Sequence, residues 1–156
     1  MANYDAIDLD WTWDGDYLIG FDGDMADTSD DYSRSLVNEI TTIIKSELLE
    51  WEKDPNIGTD LSDYVGAPNT RENGAKIEDR VRTRLVDSGI VVSEDLTVRV
   101  IPLSIHRVMI SITVFALATV NNDLTVGEPV IVNLVFDTTE NGTFVLPISE
   151  LRKEQL

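Results

Sequence analysis

The sequence predicts an α+β domain: a single mostly antiparallel sheet, two long helices packed on one of its faces, and an N-terminal β-hairpin. Three observations carry this. Apolar residues recur at three- and four-residue intervals in two separate stretches, the mark of amphipathic helices. From Leu96 onward the pattern changes to strict alternation, the mark of half-buried strands. Helical and strand patterns are grouped along the chain instead of interleaved, which is the order of an α+β domain.

Leu9, Trp11 and Trp13 alternate with Asp8, Asp10 and Thr12 in a first strand over 7–13. Asp14-Gly15 is a hairpin turn, Tyr17 to Phe21 supplies the returning strand, and Asp22-Gly23-Asp24 ends it. Thr28, Ser29 and Asp30 are competent N-caps. Leu36, Ile40, Ile43, Ile44, Leu48 and Trp51 then draw one apolar stripe along a helix from about Asp31 to Glu52, which Asp54-Pro55 stops. A short helical turn over Asp60 to Val65 is closed by Gly66 and Pro68. Asn69 or Thr70 caps a second long helix reaching about Asp87, with Ile77, Val81 and Leu85 as its buried stripe and Ser88-Gly89 as its terminator.

Three strands follow. Leu96, Val98 and Val100 alternate with Thr97, Arg99 and Ile101, and Val108, Ile110, Ile112 and Val114 with Met109, Ser111, Thr113 and Phe115. Val130, Val132, Leu134 and Phe136 alternate with Ile131, Asn133, Val135 and Asp137. After the Asn141-Gly142 turn, Thr143 to Ile148 forms a last strand and Ser149 to Leu156 a short polar helix or tail. No internal repeat is read. One domain spans 1–156: an acidic hairpin extension (1–30), a core (31–120) and a C-terminal strand extension (121–156).

The chain has 156 residues, and 29 acids against 12 Lys and Arg leave a net charge of −17. That sign repels phosphate backbones and argues against nucleic acid as a partner. Ten Asp and no Lys or Arg fall within residues 1–33, whereas Arg71, Lys76, Arg80, Arg82 and Arg84 crowd one helix. The start lacks the basic and apolar regions of a signal peptide, and the longest apolar run, Val108 to Val120, is too short and too interrupted to span a bilayer. The chain is expected to be made in the cytosol, with no membrane partner.

No cofactor or metal is expected. Asp22-Gly23-Asp24-Met25-Ala26-Asp27 starts like a calcium loop, but the positions that require an oxygen ligand, Gly and Glu hold Ala26, Asp27 and Ser33. One His and no Cys do not build a zinc site. His106, beside Pro102, reads as a turn or strand-edge residue, and no nucleophile elbow accompanies it. No phosphate-binding loop or dinucleotide fingerprint is present. A pair of carboxylates suited to glycoside hydrolysis is available among 29 acids, but nothing singles one out.

The stretch Lys53-Asp54-Pro55-Asn56-Ile57-Gly58-Thr59-Asp60-Leu61-Ser62-Asp63 lies between a helix carrying Ile40-Thr41-Thr42 and one carrying Ile77-Glu78-Asp79-Arg80-Val81. Leu96-Thr97-Val98-Arg99-Val100-Ile101-Pro102 and Val108-Met109-Ile110-Ser111-Ile112 follow. This order resembles the lysozyme-like baseplate wedge, or sheath-initiator, family of contractile-tailed phages and related injection systems: helix, Asp-Pro-x-x-Gly-x-Asp-Leu, helix, Val-x-Val-x-Pro strand, apolar strand. The likeness covers about Leu36 to Phe115. It makes Asp54, Pro55, Gly58, Asp60 and Leu61 the family's structural motif: Pro55 ends a helix, Gly58 allows a tight turn, Asp60 caps the next turn and Leu61 packs beneath it.

The resemblance implies a structural protein of a tail baseplate, present in multiple copies in a ring and joining the wedge proteins to the first sheath subunits around the tail tube. It implies a place in the virion after assembly in the host cytoplasm, and no catalysis. Sheath strands would add to an exposed sheet edge, expected among the C-terminal strands. Arg80, Arg82, Arg84, Val130, Val132 and Leu134 are the candidate partner contacts. A Glu-Pro-Arg triplet that many family members carry for docking is absent from Asp87 to Asp95. Two other roles are compatible with the residues: a carboxylate-dependent peptidoglycan hydrolase of the baseplate, and a cytosolic adaptor sharing the fold.

Overall fold

The computed structural model describes residues 10, 17–27, 32–115, 117–120, 123–126, 129–139 and 145–147. Within them the chain is α+β. Helices α1 (Tyr32–Lys45) and α2 (Arg71–Asp87) precede strands β1 (Leu96–Pro102), β2 (Arg107–Val114), β3 (Leu117–Val120), β4 (Asp123–Val126), β5 (Val130–Asp137) and β6 (Val145–Pro147). Four strands form one antiparallel sheet in the order β1-β2-β5-β6. Apart from Asp10, the expected first strand over 7–13 lies outside the described residues, as do the Asp14-Gly15 turn, the caps Thr28, Ser29 and Asp30, the Asn141-Gly142 turn and the polar tail from Ser149.

Alternation fixes which face is wet. On β2 every second side chain is buried (Val108, Ile110, Ile112, Val114), while Met109, Ser111 and Thr113 are only half-buried. On β5 the same parity buries Val130, Val132, Leu134 and Phe136. These join Leu36, Ile40, Ile43 and Ile44 of α1 and Ile77, Val81 and Leu85 of α2 in one core. Both helices therefore cover one face of the sheet, α2 over β1 and α1 over β5. Fully burying a side chain such as Phe136 contributes about 2–3 kcal/mol, so this face dominates the stability.

α2 starts where its cap directs: Thr70 is extended, and its side chain accepts a hydrogen bond from the Asn73 N–H. Gly89, at φ +79°, follows its end. α1 is shorter than its stripe suggests and stops at Lys45, leaving Leu48 and Trp51 outside the helix. The reason is local. Ser46 Oγ donates to the Thr42 carbonyl at 2.7 Å and accepts Trp51 Nε1 at 3.0 Å, while Leu49 takes a left-handed φ of +67°.

The connection between β2 and β5 carries the strands β3 and β4, which alternation from Leu96 onward did not predict. They pair from Leu117↔Val126 to Val120↔Asp123, one residue out of register with Val114↔Val130. β3 and β4 thus prolong the β2–β5 hairpin into a ribbon that pairs with no other described strand. The expected boundary at 120 falls inside this ribbon. β5, assigned to a C-terminal extension, is a central strand whose side chains complete the core.

Candidate functional site

The family-like motif forms a clasp on the end of α1. A helix leaves its last carbonyls without intrahelical donors. Here Thr59 supplies them: its Oγ1 donates to the Ile44 carbonyl at 2.9 Å and its N–H to the Ser46 carbonyl at 3.0 Å. Asp60 Oδ1 accepts the Leu48 N–H at 2.6 Å. Gly58, at φ +139°, lies against the backbone of Glu47 and Leu48. Thr59 and Leu61 are fully buried. Asp60 precedes the 3-10 turn Leu61–Tyr64 in a left-handed conformation, and its side chain makes no bond into that turn. The expected forward cap is in fact a backward one. Asp54 accepts the Ile57 N–H through its carbonyl, and the Pro55 carbonyl accepts the Leu49 N–H, which closes the loop between helix and clasp.

Of the basic residues on α2, Arg80 serves the clasp. Its Nη1 donates to the Asp60 carbonyl at 2.9 Å and to Asp63 Oδ2 at 2.6 Å, and its guanidinium carbon stands 5.0 Å from the Tyr64 ring centroid. The hydrogen bond to Asp63 raises its pKa, so it is charged at every accessible pH. Arg82 lies 3.9 Å from Glu78, and the Arg84 carbonyl accepts the Ser88 N–H. Val130, Val132 and Leu134 belong to the core. Their side chains are thus spent inside the chain, whereas Ile131 between them is exposed.

Among the described residues β5 is paired on both sides over part of its length. β2 pairs with the whole of β5, and the described residues of β6 pair with Leu134, Val135 and Phe136. The residues that this register sets opposite Val130 to Asn133, 148–151, lie outside the described residues, and β6 is the outermost described strand on that side. The opposite sheet edge is β1, fully paired with β2, exposing Arg99 and ending in Pro102, residues that discourage strand addition.

The end of β5 is a polar knot. Asp137 accepts the Thr139 N–H (2.9 Å), Thr139 Oγ1 (2.6 Å) and Arg107 Nε (3.0 Å), and its pKa falls to about 2, first through the Thr139 hydroxyl. A carboxyl so stabilised as an anion is a poor general acid at neutral pH. The exposed His106 contributes its carbonyl, which accepts the Thr138 N–H and Oγ1. Among the described residues no group of three or more His, Cys, Asp or Glu could hold a metal ion. No described helix is long and apolar enough to cross a membrane.

The N-terminal segment holds what the sequence reading missed. Asp10, Leu18 and Ala26 form a closed ring of backbone hydrogen bonds. The Asp10 N–H donates to the Ala26 carbonyl (2.8 Å), Ala26 N–H to Leu18 (2.8 Å), and Leu18 N–H to Asp10 (3.1 Å). The three residues are spaced by eight, and so is the sequence: Trp13-Asp14-Gly15-Asp16-Tyr17-Leu18 recurs as Phe21-Asp22-Gly23-Asp24-Met25-Ala26. This short repeat was the available signal, and it corrects the reading of none. Asp22-Gly23-Asp24 does not end a strand but reverses it, since Ile19 bridges Met25 across Gly23 at φ +84°. Asp10 Oδ1 accepts Arg34 Nε and Asn38 Nδ2, both at 2.9 Å, and so ties the ring to α1.

Comparison with protein-family models, with curated proteins and with solved structures returns no match.

Proposed function

We propose that the chain is a structural component of a contractile-tail baseplate, one that links wedge proteins to the first ring of sheath subunits by accepting their strands at the β5–β6 side of its sheet. The observation that carries this is the place of β6: among the described residues it is the outermost strand of the sheet on that side, so its outer main-chain donors and acceptors are offered to an incoming strand. The order of helix, clasp, helix and strands supports the same reading through its resemblance to sheath initiators. The high negative charge keeps unassembled copies apart while that edge is open. The role is structural and without catalysis, so the purified protein leaves peptidoglycan uncleaved.

Co-expression with the cognate sheath protein tests it. The full chain seeds sheath polymers that sediment and are visible by electron microscopy. A variant ending at Thr139 keeps every residue of the core cluster and folds, but loses β6 and with it the seeding. A folded variant that seeds as well as the full chain would overturn the edge assignment. A full chain that never engages sheath would overturn the baseplate reading.

A further inference from the structure

We propose that the N-terminal hairpin tip is a docking plug: Ile19, Phe21 and Met25 seat in an apolar socket of a different protein whose rim carries Lys or Arg. The tip is built before any partner arrives. The Ile19–Met25 bridge, the bond from the Gly20 N–H to the Asp24 carbonyl and the Asp10–Leu18–Ala26 ring define its backbone, and the Asp10 carboxylate anchors it to α1. Asp22 Oδ1 accepts the Asp24 N–H and Asp24 Oδ1 the Met25 N–H, which shapes the turn further.

On this frame three large apolar side chains face water. Ile19 is 63% exposed, Met25 51%, and Phe21 completely. Single exposed apolar residues are ordinary, but these three share one seven-residue hairpin, lie outside the core cluster, and include Ile19 and Met25 bridged directly across it. Asp22 and Asp24 lie next to Phe21 and Met25 in sequence, so the tip presents apolar and anionic side chains together. The complement is an apolar pocket with a cationic rim.

Charge also selects among occupants. Residues 1–33 carry ten Asp and no Lys or Arg, so two tips repel each other and an anionic lipid surface repels both. The chain's own cationic helix is a poor socket, because Lys76, Arg80 and Arg82 already pair with Glu72, Asp63 and Glu78. What remains is a basic-rimmed pocket on another protein. The inference stands apart from the sheath-strand reading, since it uses a different part of the surface and holds for any such partner.

The test replaces Phe21 of the full chain with photoreactive benzoylphenylalanine, irradiates the native cell, and sequences the crosslinked peptide. The expected product joins position 21 to a peptide of a different protein that carries apolar residues with Lys or Arg beside them. Its yield falls about tenfold in Asp22→Asn/Asp24→Asn and again in Ile19→Ser/Met25→Ser. Circular dichroism matching the parent chain shows that these surface variants fold. Crosslinks to a second copy or to lipid, no crosslink at all, or a yield that neither pair of substitutions changes would each overturn the proposal. Sheath seeding by the full chain is scored separately, so failure of the plug and failure of the baseplate reading give different results.

Discussion

A Cβ on Gly58 would stand 2.5 Å from the carbonyl carbon of Glu47 and 2.6 Å from the nitrogen of Leu48. Both atoms belong to the main chain, so no side-chain rotation relieves the contact. The approach is what lets Thr59 reach the Ile44 and Ser46 carbonyls and Asp60 the Leu48 N–H. The end of α1, the clasp and the next turn are thus one unit that requires a glycine at its closest point.

Gly58→Ala should therefore cost about 3 kcal/mol or more, by clash and by the strain of a positive φ. Gly66→Ala is the control. Its φ is +81° but an added Cβ meets nothing within 4 Å, so only the left-handed penalty of about 1–2 kcal/mol applies. Urea unfolding of both variants measures the difference; equal losses would mean that the clasp yields without cost.

Arg80 binds the same unit from the side of α2. Arg80→Lys keeps the charge but loses the guanidinium plane that stands over the Tyr64 ring while its Nη1 donates to both the Asp60 carbonyl and Asp63. The expected loss is about 1 kcal/mol. The Asp63 carboxylate is 62% exposed, so the Arg80–Asp63 pair itself accounts for under about 1 kcal/mol in a double-mutant cycle with Asp63→Asn. A coupling energy well above that would make the ion pair, not the guanidinium's place between the Asp60 carbonyl and the Tyr64 ring, the source of the effect.

Much of this architecture was legible because burial and periodicity report the same thing. Ile77, Val81 and Leu85, or Val108 to Val114, are spaced by the face they present, so their roles follow from the pattern. Legibility ended where backbone geometry overrides side-chain pattern. The stripe ran on through Leu48 and Trp51, yet α1 ends at Lys45, because Ser46, Thr59 and Asp60 offer its final turn other hydrogen bonds. Asp60 was read as a cap in the right place with the wrong direction, since spacing does not tell whether a carboxylate turns forward or back. Val130, Val132 and Leu134 were apolar enough for an interface, but whether a strand is central or outer depends on strand order, which alternation does not encode. The N-terminal ring was hidden for another reason: its period of eight matches neither helix nor strand.

The link from that ring to α1 should be separable from the ring itself. Asp10→Ala removes the acceptor of Arg34 Nε and Asn38 Nδ2 but leaves the Asp10 backbone in place. Amide hydrogen exchange at Leu18 and Ala26 should then quicken by about tenfold, while Leu85 in the core keeps its protection. Faster exchange at Leu85 as well would show that the hairpin is part of the global fold instead of an attachment to it.

Stability should also fall in acid through one identifiable carboxyl. Asp137 ionises with a pKa of about 2 in the folded chain against 3.8 for an ordinary Asp. Above about pH 4 it is ionised in both the folded and unfolded states, and its contribution is complete. As pH drops from about 4 towards 2, the unfolded state takes up the proton first and the contribution disappears. The carboxylate is 13% exposed, but its partner Arg107 is 60% exposed, so solvent screening limits the effect to about 1–2 kcal/mol. The Thr139 hydroxyl is the largest single cause of the shift. Thr139→Val should accordingly return the pKa towards 3.8, as followed by carboxyl NMR titration. Asp137→Asn should lower stability at neutral pH and flatten its slope between pH 4 and 2, whereas an unchanged slope would assign the acid sensitivity to other carboxyls.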